Sequence, residues 1–173
     1  MDLNIIGPIN DLGYGYTGLH IVDELMKLGN RVCLFPIGQP SCHPRHEANI
    51  RQALANSDKF YTDVPCIRLW HQHDMSMFVG KDEHIGFPIF ELDTFTEKEL
   101  HHLNSCDQIF VCSRWALNIC AVNLYAKNPH KDIKIVPLGV DTSIFTPKKS
   151  TRKPTIPRIV PEEPSARSQP ARR

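Results

Sequence analysis

The sequence is 173 residues long, 41% of them apolar, with a formal net charge of +1; it has room for one domain with a hydrophobic core, which excludes a wholly disordered protein. No apolar run approaches the roughly 18–20 residues that a membrane-spanning helix needs. Residues 1–4 lack the basic region of a secretory signal, which favours a cytoplasmic protein.

The charge is distributed unevenly along the chain. Residues 148–173 carry eight Lys or Arg and two Glu, a net charge of +6, whereas residues 1–147 carry −5. The acidic body gives no electrostatic basis for binding nucleic acid. The tail has five prolines and few aliphatic residues, so it cannot bury enough surface to offset its ordering entropy. We therefore predict one domain over residues 1–147 and a solvated, disordered tail over 148–173, whose basic charge could also contact acidic lipid peripherally.

Short apolar strands alternate with helical stretches in the first half of the chain. Strands are predicted over residues 3–6, 31–35 and 66–71, and helices over 16–28 and 44–55. The first helix has apolar residues at helical spacing and a stop signal at Gly29-Asn30. Pro36 ends the second strand, and Pro44 is a favourable first residue for the second helix.

The same alternation continues in the second half. Strands are predicted over residues 85–90, 108–112 and 131–136, and helices from Thr96 to about Asn104 and from Ser113 to about residue 127. Thr96 and Glu99 have the spacing of a capping box. Pro88 argues against a fully paired central position for its strand. Together these elements predict an α/β fold with a doubly wound parallel sheet, Rossmann-like in type.

Polar or glycine-rich segments follow most of the predicted strands. Open parallel sheets bind ligands outside the carboxyl ends of their strands, so these segments predict the rim of a cleft. The candidate residues there are Gly13, Gly15, Gly18, His71, His73, Asp74, Glu91, Asp93, Ser113, Gly139 and Asp141.

The segment 13–18 has the spacing G-x-G-x-x-G of a dinucleotide-binding loop. Two features argue against a nicotinamide-dependent oxidoreductase. Six residues separate Ile6 from Gly13, and residues 32–40 contain no acid for the ribose hydroxyl. A glycine-rich segment that enters a helix can still present backbone N–H groups to a diphosphate. The alternative is that the glycines only shape a turn.

His71 and His73 lie two residues apart, so in a strand they share one face. With Asp74 they could act as acid and base, as substrate ligands or as metal ligands; the alternative is that they are hydrogen-bonded histidines at the end of a sheet. Cys42, His43 and His46 do not have a standard zinc spacing, and we predict no metal site. Glu91 and Asp93 are also two apart, and the alternatives for them are substrate-binding carboxylates or solvated acids.

Residues 135–147 read I-V-P-L-G-V-D-T-S-I-F-T-P. They resemble the signature P-x-G-V-D-x-x-x-F-x-P, which closes the N-terminal domain of family-4-type glycosyltransferases of the GT-B fold. Three other segments follow the order found in that family: the glycine-rich residues 13–18, the W-H-Q-H-D of 70–74 and the D-Q-I-F-V-C-S of 107–113. The resemblance covers residues 3–147.

The resemblance implies a glycosyltransferase that moves a hexose from a nucleotide-diphosphate sugar, its co-substrate, to an acceptor without a bound metal or other cofactor. It implies that His73 contacts the donor sugar and that Gly13, Gly15 and Gly18 lie near its phosphates. In that family a second, C-terminal domain holds the donor with basic residues and an E-x7-E pair. The sequence after Pro147 does not resemble that domain.

We therefore expect the chain to need a separately encoded donor-binding half, which would be its protein partner. The alternative is a non-catalytic binding or interaction module on the same fold. A C-terminal half with the E-x7-E pair in the neighbouring reading frame would favour the glycosyltransferase over the binding module.

Limited digestion with trypsin tests the predicted domain boundary. We expect cleavage within residues 148–173 well before cleavage within residues 1–147, because the tail combines many Lys and Arg with too few apolar residues to fold. Mass spectrometry of timed samples identifies the sites. If the tail survived longer than the body, the boundary would be wrong.

Overall fold

The computed structural model describes residues 1–126, 128–142 and 144–146. The chain divides into two units, Met1–Gly139 and a second unit that begins at Val140. The first unit contains all the helices and strands described here. The predicted tail from residue 148 lies outside the described residues, and so does Pro147 of the signature segment.

The elements alternate as the sequence predicts. Along the chain they are β1 (Asp2–Gly7), α1 (Gly13–Lys27), β2 (Arg31–Pro36), α2 (Pro44–Asn56), β3 (Cys66–Trp70), β4 (His84–Pro88), α3 (Glu97–Asn104), β5 (Gln108–Val111), α4 (Arg114–Leu124) and β6 (Asp132–Ile135). A short 3-10 turn, Ser57–Lys59, follows α2.

The six strands form one sheet in the order β2-β1-β3-β4-β5-β6, and every neighbouring pair is parallel. The direction of winding reverses at β1, because the chain runs from β1 outward to β2 and then returns to β3 on the other side. Such a reversal leaves a crevice at the carboxyl ends of the two strands that flank it, here β1 and β3.

Buried apolar side chains fill both faces of the sheet. One cluster joins α1, α2, β1 and β2 around Leu3, Ile5, Leu19, Val32 and Ile50. The other joins α3, α4 and β5 around Leu100, Leu103, Ile109, Val111 and Cys120.

The register places these two clusters on opposite faces of the sheet. Ile5 is in register with Ile67 and Ile85, whereas Ile109 is in register with Gly86, one residue along. Neighbouring residues of a strand point to opposite faces. The prediction of a doubly wound parallel α/β fold is therefore confirmed.

Helix α1 begins earlier than predicted. Its first residue is Gly13 rather than Tyr16, so residues 13–18 form the first turns of a helix and not a loop. The N–H of Tyr16 already donates to the carbonyl of Leu12 at 2.7 Å. Glycine disfavours helix, so the residues alone predict a later start, but tertiary packing outweighs this preference.

Two glycines of α1 allow that packing. A Cβ atom on Gly18 would stand 2.5 Å from the carbonyl oxygen of Pro8, and one on Gly15 would stand 2.1 Å from Oδ1 of Asn10. Both distances are far below van der Waals contact. Only glycine at these positions lets α1 lie directly on the turn that follows β1.

Although β4 lies between β3 and β5, it is not fully paired along its length, as predicted from Pro88. Pro88 is the last residue of β4, in register with Trp70, while the pairing with β5 extends only over Ile85 and Gly86. The missing N–H therefore falls beyond the ladder with β5, where proline can be accommodated.

The predicted helix starts at Thr96 and Ser113 are confirmed. The Thr96 side chain accepts from the Glu99 N–H while the Glu99 carboxylate accepts from the Thr96 N–H, which is a complete capping box. Oγ of Ser113 accepts from the Ala116 N–H at 3.1 Å. Helix α4 ends at Leu124, three residues short of the predicted end. No helix in the described ranges is long and apolar enough to cross a membrane.

Replacing Gly18 with alanine tests the close approach of α1. We expect Gly18→Ala to lower the free energy of unfolding by about 1–3 kcal/mol, because the backbone carbonyl of Pro8 cannot yield without shifting the turn. Gly13→Ala is the matched control, since a Cβ there meets nothing within 4 Å. Urea denaturation measures both, and equal midpoints for the two variants would contradict this account.

Candidate functional site

A groove of about 600 Å³ opens at the carboxyl ends of β1, β3 and β4. It lies at the reversal of the sheet winding, where open α/β sheets bind their ligands. Its walls come from the first turns of α1 and from the segments that follow β3, β4 and β6. The lining residues are Gly13, Tyr14, Thr17, His71, Gln72, Ile89, Phe90, Glu91, Leu92 and Leu138.

Tyr14 ties three of these segments together. Its hydroxyl donates to the backbone carbonyl of Ile89 and lies 3.0 Å from Nδ1 of His71. Its ring packs 5.5 Å from the ring of Trp70. Burial, followed by the nearby charge of Glu91, raises the pKa of Tyr14, so the hydroxyl keeps its proton at neutral pH.

Tyr14 was not among the candidate residues from the sequence. It lies between Gly13 and Gly15 in the glycine-rich segment. A large aromatic residue between two glycines at a strand-to-helix junction is the sequence feature that could have identified it. That feature indicates a site residue only if the helix begins at Gly13.

His71 belongs to the groove, and His73 stacks against it. The two rings lie 5.2 Å apart between centroids and 13° from parallel. His73 is exposed and does not line the groove. Burial, with a smaller effect from neighbouring His73, lowers the pKa of His71, so the imidazole at the groove is neutral at pH 7. Of the two predicted histidines, the structure brings His71 to the first turn of α1, and His73 stacks on it.

Asp74 holds the turn after β3 in place. Its Oδ2 lies 2.7 Å from Nη2 of Arg68, and its backbone carbonyl accepts from Nε of Arg68 at 2.6 Å. Arg68 lies on β3 and is only 3% exposed. The buried guanidinium of Arg68 therefore binds both the carboxylate and the backbone carbonyl of Asp74. These bonds orient the turn that carries His71.

Gln72 anchors the same turn from the other side. Its side-chain amide donates to Oε1 of Glu99 at 2.8 Å, and both side chains are buried. Glu99 also belongs to the capping box of α3. Arg68 and Gln72 are the positioning residues that sequence reasoning missed. The partner of Arg68 is six residues along the chain, and that of Gln72 is 27 residues along the chain.

The beginning of α1 presents unpaired backbone donors near the groove. The residue before the helix, Leu12, provides no side-chain cap, and Gly13 lines the groove with open space around its Cα. A helix N-terminus of this kind carries partial positive charge. Of the three predicted glycines, Gly13 alone reaches the groove, while Gly15 and Gly18 serve packing.

The remaining predicted residues divide between the groove and other places. Glu91 is exposed and lines the groove, whereas Asp93 is exposed and does not. Ser113 caps α4. Gly139 is the last residue of the first unit. Asp141 lies in the second unit, where its carbonyl accepts from the N–H groups of residues 144 and 145 at 3.2 and 2.8 Å.

One wall of the groove is apolar. Phe90, Leu92 and Leu138 line it, and the Phe90 ring packs 5.8 Å from the ring of Trp115. Among the described residues, the ionisable side chains of the lining are Tyr14, His71 and Glu91, with no Lys or Arg. The groove therefore combines apolar surface, one carboxylate, one neutral imidazole and hydroxyl groups.

The possible zinc ligands have other partners. Nδ1 of His46 lies 2.7 Å from the Asp23 carboxylate, and Nδ1 of His43 accepts from the N–H of Arg45 at the start of α2. Within the described residues, no group of three or more His, Cys, Asp or Glu is arranged to hold a metal ion.

Comparisons with known proteins give no family for this chain. Neither a scan against models of protein families nor a search of curated protein sequences finds a significant match.

Replacing Asp74 tests its structural role in the turn that follows β3. We expect Asp74→Ala to lower the free energy of unfolding by about 1.5–3 kcal/mol, because it removes a charged hydrogen bond to a buried guanidinium. Asp93→Ala is the control, since the Asp93 side chain is exposed and has no hydrogen-bond or ion-pair partner in the described part of the chain. Thermal or urea unfolding of both variants is the measurement. An unchanged stability for Asp74→Ala would contradict the structural role.

Proposed function

We propose that residues 1–139 form the acceptor-side domain of a GT-B-type glycosyltransferase. This domain would supply one wall of the cleft in which a hexose passes from a nucleotide-diphosphate sugar to an acceptor. One observation carries the proposal. Three segments that resemble the family and are far apart in sequence each place a residue in the same groove: Gly13, His71 and Leu138.

The chemistry of the groove suits a sugar. Binding sites for small molecules combine apolar surface with a few polar groups that set orientation. Here Tyr14 and Phe90 offer ring faces for the C–H surface of a sugar, while Thr17, His71 and Glu91 offer partners for its hydroxyl groups.

The groove has little to hold a diphosphate. The described part of its lining contains a carboxylate and no Lys or Arg, so the beginning of α1 is the main source of positive potential there. A departing diphosphate needs stabilisation as negative charge develops on it. That stabilisation would come in part from the N–H groups of α1 and mainly from a second, donor-binding half across the cleft.

The absence of Lys and Arg from the described residues of the lining also favours a second candidate, a non-catalytic module that binds neutral sugars. The two differ in their requirement for the nucleotide. A transferase wall gains affinity for the nucleotide sugar once the donor-binding half is present, whereas a sugar-binding module binds glucose or mannose alone and is indifferent to that half.

Assays of the purified 173-residue chain test the proposal. We expect turnover of UDP-glucose or GDP-mannose by the chain alone to be at least about 100-fold below that of the chain mixed with a candidate donor-binding half. Holding two substrates together accounts for about 7–11 kcal/mol of an active site's contribution, and each 1.4 kcal/mol is about tenfold in rate. Robust turnover by the chain alone would contradict the need for a partner.

A matched pair of variants tests the groove itself. We expect Glu91→Gln to weaken binding of UDP-glucose or GDP-mannose about tenfold, because a hydrogen bond to a charged group contributes about 1.5–3 kcal/mol. Asp93→Asn makes the same change two residues away, outside the groove, and should bind normally. Titration followed by amide NMR shifts measures both. Equal affinities for the two variants, or shifts remote from Gly13 and Thr17, would remove the groove from the proposal.

A further inference from the structure

The Tyr14 hydroxyl has two partners and a single proton. It contacts the backbone carbonyl of Ile89 and Nδ1 of His71 at 3.0 Å. A carbonyl oxygen can only accept a hydrogen bond. If the hydroxyl proton pointed to His71, two oxygen lone pairs would face each other at the Ile89 contact. The proton must therefore lie on the Ile89 side.

This arrangement determines the protonation of the imidazole. With its proton committed to Ile89, the Tyr14 oxygen can only accept from Nδ1 of His71, so Nδ1 carries a hydrogen. In a neutral imidazole the other nitrogen then bears a lone pair. Within the described residues, Nε2 of His71 has no hydrogen-bond partner, and it is not among the buried unpaired atoms, so it reaches solvent.

Neighbouring rings fix the orientation of the His71 imidazole, and its burial favours the neutral form. The His73 ring stacks on one face at 5.2 Å, and the Tyr14 ring packs at 4.6 Å. The Ile89 carbonyl orients Tyr14, and the Ile89 N–H in turn donates to the carbonyl of Trp70. Burial lowers the pKa of His71, in keeping with a neutral ring.

We propose that Tyr14 is a positioning residue that holds His71 in its Nδ1–H tautomer and leaves Nε2 as an unprotonated acceptor at the groove. The use of Nε2 rests on the proposed function: it would accept a hydrogen bond from a sugar hydroxyl, or take its proton as a general base. The tautomer itself follows from the hydrogen bonds alone and is independent of any ligand.

The tautomer can be observed directly by NMR of the full chain labelled with nitrogen-15. The nitrogen shifts and ring-proton couplings distinguish a protonated from an unprotonated ring nitrogen, and the spectrum of His71→Gln identifies the signals of His71. At neutral pH we expect Nδ1 of His71 to be protonated and Nε2 not. A wild-type spectrum with the proton on Nε2 would overturn the proposal without any variant.

Tyr14→Phe then tests the cause. It removes only the hydroxyl, and we expect the ratio of the Nδ1–H to the Nε2–H tautomer of His71 to fall about fivefold, as expected for the loss of one ordinary hydrogen bond. Tyr16→Phe is the matched control on the same helix, because the Tyr16 ring packs at a tilt against His20 and its hydroxyl has no hydrogen bond in the described part of the chain. An unchanged ratio in a folded Tyr14→Phe variant would show that Tyr14 does not set the tautomer.

Binding of UDP-glucose to the same proteins tests the use of Nε2. We expect weaker binding by Tyr14→Phe and normal binding by Tyr16→Phe. If the tautomer shifts in Tyr14→Phe but affinity does not, the positioning role stands while the assignment of Nε2 to a sugar hydroxyl is wrong. If no sugar probe binds the wild-type chain with or without a donor-binding half, the proposed function fails and the tautomer result is unaffected.

Discussion

The groove depends on the close approach of α1 to the turn that follows β1. Because Gly18 and Gly15 carry no Cβ, the helix lies against Pro8 and Asn10 and begins at Gly13. That position brings Tyr14 to the ends of β3 and β4, where it contacts His71 and Ile89. A larger residue at position 18 would push the helix outward and separate these contacts, so one backbone distance controls the shape of the site.

The sequence predicts most of the fold and rather less of the site. The alternation of strands and helices, the capping box at Thr96 and the cap at Ser113 are local patterns, and the structure confirms them. The start of α1 was mispredicted. It depends on packing against the turn that follows β1, which local preferences do not contain.

The candidate site divides in the same way. Sequence reasoning identified the segments that meet at the groove, because the carboxyl ends of parallel strands share one edge. It could not tell which side chains turn inward. His71, rather than His73, meets α1, and Asp74 is engaged by Arg68. Such choices depend on the side-chain partners that the fold brings together, such as Tyr14 for His71 and buried Arg68 for Asp74.

The aromatic surroundings of the groove have a practical consequence. The chain has two tryptophans, and each packs against a ring that lines the groove: Trp70 lies 4.8 Å from His71 and Trp115 lies 5.8 Å from Phe90. Indole emission responds to the polarity and quenching groups around it. A molecule that fills this groove and displaces water would change the environment of both fluorophores, so the protein carries an intrinsic optical reporter beside its own candidate site.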